Sequence, residues 1–555
     1  MILSCIQPHT APVEHLKECC SGVITSQYYF TARYFDLIDD NLATGIVSEL
    51  AKLQMPDGCM RWYREEEFIS DTNGAFFVLM PIALAYKFCS GKMTEDEKTD
   101  IQFLLKNAFK WFSHEAEGPL FYCNKIMSDG AMLALISDII GEGKETSEAF
   151  WEEWDSYYTE HGWGWGENSS DCYSTIMLNA LNAVIISADG KARENAIKRR
   201  EELLDYIIFH EGKEFVPSIR TYNFDAKATY GGAVYSVLKA ESQNAKGVSP
   251  NVDAAIMAIL AHESGVKIPE EDYSNVRKEL LFNDSFAYTW KGKNVRLGSV
   301  SHFPVMPCSY QNCVPGAGGY VKTYGLGWQS MPVSAMVDEK YISFLRIHTK
   351  VGEKEHFHPA VDKHSAFLYN RLFEDGNITV FSTHSAQDNN ITVVCRSANK
   401  LTNTTSFICD EWCIPDKKAK IEELKIASRK WFVVYGKNAA VALLPLDGIA
   451  CGNLGRSPMN TYISESGMFK TVTTELYLGK EKLVTAQRLE SVWVVVAIDN
   501  TSNVAEYLEN IEISDEPVRQ IDISLNIAYR RRKITCTDGK STVELLIDPT
   551  TQHDF

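Results

Sequence analysis

A change of hydrophobic period near residue 290 constrains this chain more than any other feature. Before it, apolar residues recur three and four apart, as at Ile101, Leu104, Leu105 and Ala108, the spacing of one helix face. After about residue 335 the runs become short, alternating and β-branched. Examples are Tyr341 to Ile347, Ile378 to Phe381, Ile391 to Val394, Lys430 to Tyr435, Ala440 to Pro445, Lys470 to Tyr477 and Val492 to Ile498. Asp-Gly, Gly-Lys and Asn-rich turns separate them. A helical period and a strand period cannot share one face, so each half must bury its own core. With 555 residues, 45% of them apolar, the chain is long enough for two to four domains.

The helical half contains two kinds of segment. Asp71 to Phe88, Ser128 to Ile140, Asp171 to Ile186, Tyr230 to Ala240 and Asn251 to His262 are apolar nearly all round and must be enclosed. Glu95 to Trp111, Ser147 to Tyr158, Ala192 to Phe209 and Glu270 to Phe282 are charged on one face. Enclosed helices alternating with half-exposed ones describe an inner and an outer ring, the α/α toroid. No fixed repeat of a stacked-helix solenoid is present. The expected class is therefore α+β and multidomain: a toroid over residues 1–290, a linker with cleft loops over 291–335, and an antiparallel β-sandwich over 336–555. A small C-terminal β subdomain is expected from about 515, and the basic cluster Arg530 to Lys533 reads as a solvated turn.

The formal charge of −18 opposes general nucleic-acid binding, which needs a basic footprint. Arg220, Lys227, Lys291, Lys293 and Arg296 are nevertheless gathered in one portion of the sequence. No run of about 18 apolar residues predicts a membrane span, and Met1 to Cys20 lack the long apolar stretch of a signal peptide. The fourteen cysteines show no zinc-site spacing and read as free thiols, so a cytoplasmic location is expected; an N-terminus trimmed from a secreted form would void this. Several Asn-x-Ser/Thr triplets, at Asn168, Asn377, Asn390, Asn403 and Asn500, would matter in a secreted eukaryotic chain.

Gly162 to Asp171, with the sequence Gly-Trp-Gly-Trp-Gly-Glu-Asn-Ser-Ser-Asp, stands immediately before an apolar helical run. Alternating glycines allow tight turns, which would expose Trp163 and Trp165 as flat rings for sugar faces. Asn168 and Asp171 would lie at the helix N-terminus, where they also serve simply as caps. A capped helix with two core tryptophans is an equally good account of these ten residues taken alone.

A helical toroid followed by a β domain, with Gly-Glu-Asn-Ser-Ser-Asp opening one inner helix, resembles the polysaccharide lyases of the chondroitin AC and hyaluronate lyase type, related to alginate and heparin lyases. The resemblance implies β-elimination on a uronic-acid polysaccharide. Asn168 matches the Asn that contacts the substrate carboxylate. Tyr230 in Tyr-Gly-Gly-Ala-Val-Tyr resembles the catalytic Tyr stretch with one residue extra, and Arg296 matches the following Arg. Trp62 and Tyr63 resemble an aromatic patch, and Trp328 with Gln329 the aromatic stretch leading into the β domain. The chain departs from the pattern where a His is expected, at Thr221-Tyr222-Asn223. Tyr222, His302, His356, His358 or His364 would take its place.

Elimination needs the carboxylate neutralised, a base for the C5 proton and an acid for the leaving oxygen. Asn168 aided by Arg296 can do the first, and a tyrosine held as phenolate by local positive charge the second and third. Glu167 and Arg220 join Trp62, Trp163, Trp165, Trp328 and Gln329 as expected substrate contacts. No cofactor is required. His356 and His358, two apart with Asp362 and His364 nearby, leave room for a divalent metal. Three other functions remain open: a glycoside hydrolase using Glu66, Glu167 and Asp171 as paired carboxylates, a terpene cyclase, which lacks its acidic motif here, and a non-catalytic glycan-binding protein. The partner expected in all but the cyclase is a saccharide, with no nucleic acid and no membrane.

Overall fold

The computed structural model describes residues 21–69, 71–164, 166–221, 252–266, 274–283, 285–300, 329–331, 333–351, 354–358, 379–384, 389–399, 405–453, 455–482, 487–518 and 531–547. They form two compact units, Met1–Gly212 with Ala228–Asp272, and Lys213–Lys227 with Tyr273–Phe555.

The first unit is helical. Its described helices are α1 (Gly22–Tyr34), α2 (Asp40–Ala51), α3 (Gly74–Cys89), α4 (Glu95–Glu115), α5 (Cys123–Ile140), α6 (Lys144–His161), α7 (Asp171–Ser187), α8 (Gly190–Phe209) and α9 (Val252–Glu263). Local chemistry sets their ends. Thr94 and Glu97 form a reciprocal capping box on α4, and Gly141, at φ 72°, terminates α5 in the left-handed conformation that glycine adopts without a steric cost.

Burial separates the helices into the two expected kinds. Twelve of the sixteen residues of α3 are buried, against four of the eighteen of α6. The enclosed helices close a ring: α1 packs on α3, α3 on α5, α5 on α7, α7 on α9, and α9 returns to α1. The Tyr34 hydroxyl donates to Glu263 Oε1 at 2.5 Å across the closing pair. Outside the ring α2 and α4 lie together, α4 also covering α5, while α6 backs α5 and α8 backs α7. By length and composition α3 with the turn after it could cross a membrane, but 67% of that stretch is buried within the protein. It is a wall of the ring core.

The second unit is antiparallel. Six strands run in the order Lys420–Ile426, Arg429–Tyr435, Ala440–Ile449, Leu489–Ile498, Ile391–Asn399 and Thr379–His384. The larger sheet runs Thr461–Ser466, Phe469–Tyr477, Thr405–Ile414, Tyr341–Val351, Val333–Val337, Val295–Val300, Ser285–Lys291 and Val276–Phe282, with Lys354–His358 paired to the far half of Tyr341–Val351. Their inner faces share one core, where Leu297, Leu345 and Trp412 meet Phe432, Leu443 and Trp493. The other face of the six-stranded sheet is covered as well. Ile534, Cys536, Val543 and Leu545, from a three-stranded sheet of Glu512–Pro517, Arg532–Thr537 and Thr542–Ile547, pack on it with Val504 and Leu508 of a short helix. This is why every residue of Leu489–Ile498 is buried and why its stretch from Val492 on is apolar throughout: a strand covered on both faces reads as a continuous apolar run.

Three expectations need correction. Glu270 to Phe282 does not form an outer helix, because Val276–Phe282 is a strand hairpinned to Ser285–Lys291 around Asn283, at φ 55°. Pairing satisfies that strand's backbone, and the left-handed Asn makes the turn. The large sheet therefore starts well before residue 290, and strands already occupy part of the stretch expected to be a linker. The basic cluster is not wholly a solvated turn either. Arg532 is 3% exposed on the inner edge of its strand, its guanidinium donating to both carboxylate oxygens of Asp515 and lying 3.5 Å from Glu490. A buried guanidinium requires such partners. The helix expected over Tyr230 to Ala240 lies outside the described residues.

Candidate functional site

The Gly-Trp-Gly segment is shaped by its glycines. Gly162, Gly164 and Gly166 have φ of 82°, 87° and 90°. A Cβ on Gly164 would stand 2.3 Å from the carbonyl oxygen of Phe121, so this position tolerates no side chain. The chain thereby folds tightly against the segment leading into α5. Glu167–Ser169 then makes one 3₁₀ turn, Ser170 is extended, and α7 starts at Asp171.

All five residues from Glu167 to Asp171 are fully buried. Glu167 Oε2 accepts hydrogen bonds from the Asn124 side-chain amide, from the Asn124 backbone N–H at 3.3 Å and from the Cys123 thiol at 3.4 Å. It thus places a carboxylate at the N-terminus of α5, where free N–H groups favour negative charge. Ser169 Oγ lies 3.0 Å from the Tyr206 hydroxyl of α8, and the Ser174 and Thr175 hydroxyls donate to Asp171 O. Asn168 is therefore clamped between two anchored neighbours.

The rings behave differently from the sequence expectation. Trp163 is 2% exposed, its ring edge-on to Tyr158 at 4.7 Å and 6.5 Å from Trp154. The expected exposed platform is here part of the packing between loop and α6, because the left-handed glycines turn the ring inward. Glu167, expected to touch substrate, has its carboxylate engaged by α5. Trp62, by contrast, is half-buried, fixed by Gly22 N–H to its carbonyl at 2.9 Å and by its own N–H to Glu66 Oε2 at 2.7 Å, with its ring 5.5 Å from that of Phe77.

Trp62 lies on the wall of a cavity of about 290 Å³ among the inner helices. Residues of the N-terminal halves of α1, α3 and α7 and the middle of α9 line it, among them Gln27, Phe77, Met80, Cys172, Asn179 and Met257. No charged side chain is among the described lining residues. Sequence reading found Trp62 and missed the rest. Gln27 and Asn179 are polar residues on largely enclosed helices, a signal that becomes meaningful only when the ring closes.

Elsewhere in this unit, Asp129 of α5 is 2% exposed and 2.7 Å from Lys125 Nζ. Burial pushes its carboxyl up to about 6, against the pull of Lys125.

In the β unit, Arg296 is 4% exposed on Val295–Val300, opposite Met336 and Lys291. Arg220 lies on Ser218–Thr221, which pairs antiparallel with Gln329–Met331, so two expected contact residues share one short ribbon. His358 is opposite Ile347 and His356 opposite Thr349 in the sheet register. Among the described residues no cluster of three or more metal-ligating side chains occurs. Trp165, Tyr222, Tyr230, His302, Trp328 and His364 lie outside the described residues.

No family model and no curated protein matches the chain. Solved structures similar to it include heparinase III, at 10% identity and TM-score 0.47 over 98% of this chain and 84% of that one. A chondroitin AC lyase mutant from Streptomyces coelicolor A3 matches at 9% identity and TM-score 0.44, over 96% and 82%. A mutant heparan sulfate lyase from Pedobacter heparinus matches at 9% and 0.35, over 96% and 82%.

Proposed function

We propose that the chain is a polysaccharide lyase that cleaves a uronate-containing polysaccharide by β-elimination. The observation that carries this reading is the place of Asn168. It sits in the Gly-x-Asn-x-x-Asp turn that opens an inner helix of a closed helical ring, and the same helix goes on to supply Cys172, Thr175 and Asn179 to an aromatic-walled cavity. In the reaction the amide of Asn168 and the guanidinium of Arg296 hydrogen-bond the uronate carboxylate, so charge developing on C5 is spread into a neutralised group. Tyr230 as phenolate takes the C5 proton, the C4–O bond breaks as the C4–C5 double bond forms, and the tyrosine proton passes to the leaving oxygen. Tyr222, or one of His302, His356 and His358, fills the position of the histidine that the motif lacks. Trp62, Trp165, Arg220, Trp328 and Gln329 hold the polymer.

Two observations disfavour hydrolysis by paired carboxylates. Glu167 Oε2 is engaged by Asn124 and Cys123 of α5, and Glu66 Oε2 is taken by the N–H groups of Trp62 and Tyr63.

The test is to mix the protein with uronate polymers and follow the ultraviolet absorbance of an unsaturated uronate end. Release of reducing ends without that absorbance means hydrolysis and overturns the proposal, as does binding with no cleavage of any polymer. Tyr230→Phe should lower turnover by orders of magnitude with little change in affinity, and Asn168→Ala should lower turnover too.

A further inference from the structure

One hairpin of the larger sheet turns its aromatic face to solvent. Ser285–Lys291 alternates strictly, but it buries Ser285, Ala287 and Thr289 and leaves Phe286, Tyr288 and Trp290 partly exposed on the other face, where a half-buried strand ordinarily carries polar groups. Its partner Val276–Phe282, the last strand of that sheet, sets Val276, Lys278 and Leu280 opposite Trp290, Tyr288 and Phe286. Trp290 packs on the margin of the core between the sheets, and the strip continues from it to Tyr288 and Phe286. With a ring at every second residue and about 3.4 Å per residue, it is roughly 14 Å long. Val276 beside it is 38% exposed.

The polar groups on this strip are donors without acceptors. Lys278 Nζ stands 3.9 Å above the centre of the Phe286 ring and 5.5 Å from that of Tyr288, a geometry in which the rings hold the ammonium. Neighbouring Arg277 pairs with Glu279, but Lys278 meets no carboxylate among the described residues. The Tyr288 hydroxyl and the Trp290 indole N–H likewise have no hydrogen-bond partner among the described residues. An ammonium and an indole can only donate. In a chain of formal charge −18, an unpaired cation on an aromatic strip reverses the local field and favours an anion there.

We infer that this hairpin is a second glycan-binding site, one that takes a short extended stretch of an acidic polysaccharide. Sugar faces lie on Tyr288 and Trp290, where the negative face of each ring meets the sugar's C–H bonds. Lys278, supported by Phe286, binds a uronate carboxylate, and the Tyr288 hydroxyl and Trp290 N–H donate to neighbouring sugar oxygens. An acidic peptide would satisfy the ammonium but offers no flat faces for the two rings. The strip lies on the face of the sheet opposite to that of Arg296, which is paired with Lys291 on the Ala287 and Thr289 side of the strand. Only the expectation that the anion is a sugar acid rests on the proposed function. The site extends that function by giving the protein a hold on its polymer apart from the residues proposed for elimination, so that a chain need not be released between cuts.

Lys278, exposed and unpaired, supplies a local readout. The full-length protein is pulsed briefly with the N-hydroxysuccinimide ester of acetic acid, and acetylation of Lys278 is quantified by mass spectrometry against that of Lys106, an exposed lysine of α4. Short fragments of polygalacturonate, polymannuronate, hyaluronan and heparosan are compared, each beside its carboxyl methyl ester, which keeps the sugars and removes the charge. At least one of the acids should protect Lys278 at millimolar concentration without protecting Lys106, and its methyl ester should not. Tyr288→Ala should raise the concentration needed for half-protection about tenfold, with the melting temperature checking that the variant is folded. A lack of protection by all the acids overturns the inference. Equal protection by a methyl ester or by polyaspartate overturns it too, because the strip then does not read charge and sugar together. Protection that grows with protein concentration in the absence of saccharide means that a second copy covers the strip, and is equally fatal. These outcomes are read on the wild-type protein, so a misfolded variant does not blunt the test. They are also separable from the proposed function. An unsaturated product with Lys278 unprotected refutes the second site alone, and protection without such a product refutes the lyase reading while leaving the second site standing.

Discussion

Replacing Trp163 by Ala tests directly whether the Gly-Trp-Gly segment is a structural clamp or a sugar platform. The ring is 2% exposed and packed against Tyr158 and Trp154, and a buried tryptophan hides about 150–250 Å². At about 25 cal/mol per Å² this is a transfer contribution of roughly 4–6 kcal/mol, an upper bound because the unfolded chain already buries part of that surface. Truncations of buried Trp or Phe to Ala cost about 3–5 kcal/mol, so the two routes agree. Gly164 cannot move to refill the space, because it is already against the Phe121 carbonyl. The assay is urea denaturation followed by far-ultraviolet circular dichroism, which reports the helical unit, run beside Trp163→Phe. The Ala variant should lose about 3–5 kcal/mol and melt roughly 6–20 °C lower, and the Phe variant should lose clearly less. A loss under about 1 kcal/mol for Trp163→Ala, together with weakened polysaccharide binding, would refute the packing account and restore the ring to the ligand.

Other consequences can be checked in the same way. Asp129 has its folded-state pKa raised to about 6, so the folded protein holds a proton that the unfolded chain has released. Its contribution to stability is therefore present at low pH and is lost as pH rises from about 4 to about 6, by up to about 3 kcal/mol for a shift of this size; Asp129→Asn should flatten that part of the stability profile in denaturation series at stepped pH, and an unchanged profile would contradict the raised pKa. In the sandwich, Arg396 and Asp410 are both fully buried and 3.2 Å apart, with Asp410 Oδ2 also accepting from Ser491 Oγ and Trp493 Nε1. Asp410→Ala should cost about 3–5 kcal/mol because it removes an ion-pair partner of a buried guanidinium, and the double replacement Arg396→Met, Asp410→Leu should recover much of that loss. Equal losses in the single and double variants would show that packing dominates over charge.

Much of the architecture was legible because period is a local property. The enclosed runs from Asp71, Ser128, Asp171 and Asn251 became α3, α5, α7 and α9, and the charged-faced runs became α4, α6 and α8. The apolar strand runs became strands for the same reason, that their residues alternate or are wholly apolar whatever they pair with. Val276–Phe282 was misread because Val276, Leu280 and Leu281 repeat almost as on a helix; pairing with Ser285–Lys291 decides the matter and is invisible to a window of seven residues. Thr405–Ile414, in the middle of the larger sheet, does not stand out in the sequence because Asp410 and Glu411 interrupt its pattern; Arg396, Ser491 and Trp493 make the first charge tolerable there and Arg346 the second.

The candidate site divides along the same line. By itself the sequence determined that a glycine-permitted turn precedes an inner helix, with Asn168 and Asp171 at its head, since left-handed backbone at successive glycines and a following apolar period are written locally. Tertiary structure alone decided which way the rings of that turn face, what Glu167 holds and where polar groups are left unmatched. Trp163 is buried because α6 supplies Tyr158 and Trp154 to receive it. Gln27 and Asn179, far apart in sequence, share a cavity wall because the helical ring closes on itself. Burial and cavity shape are sums over neighbours distant in sequence, and no local pattern encodes them.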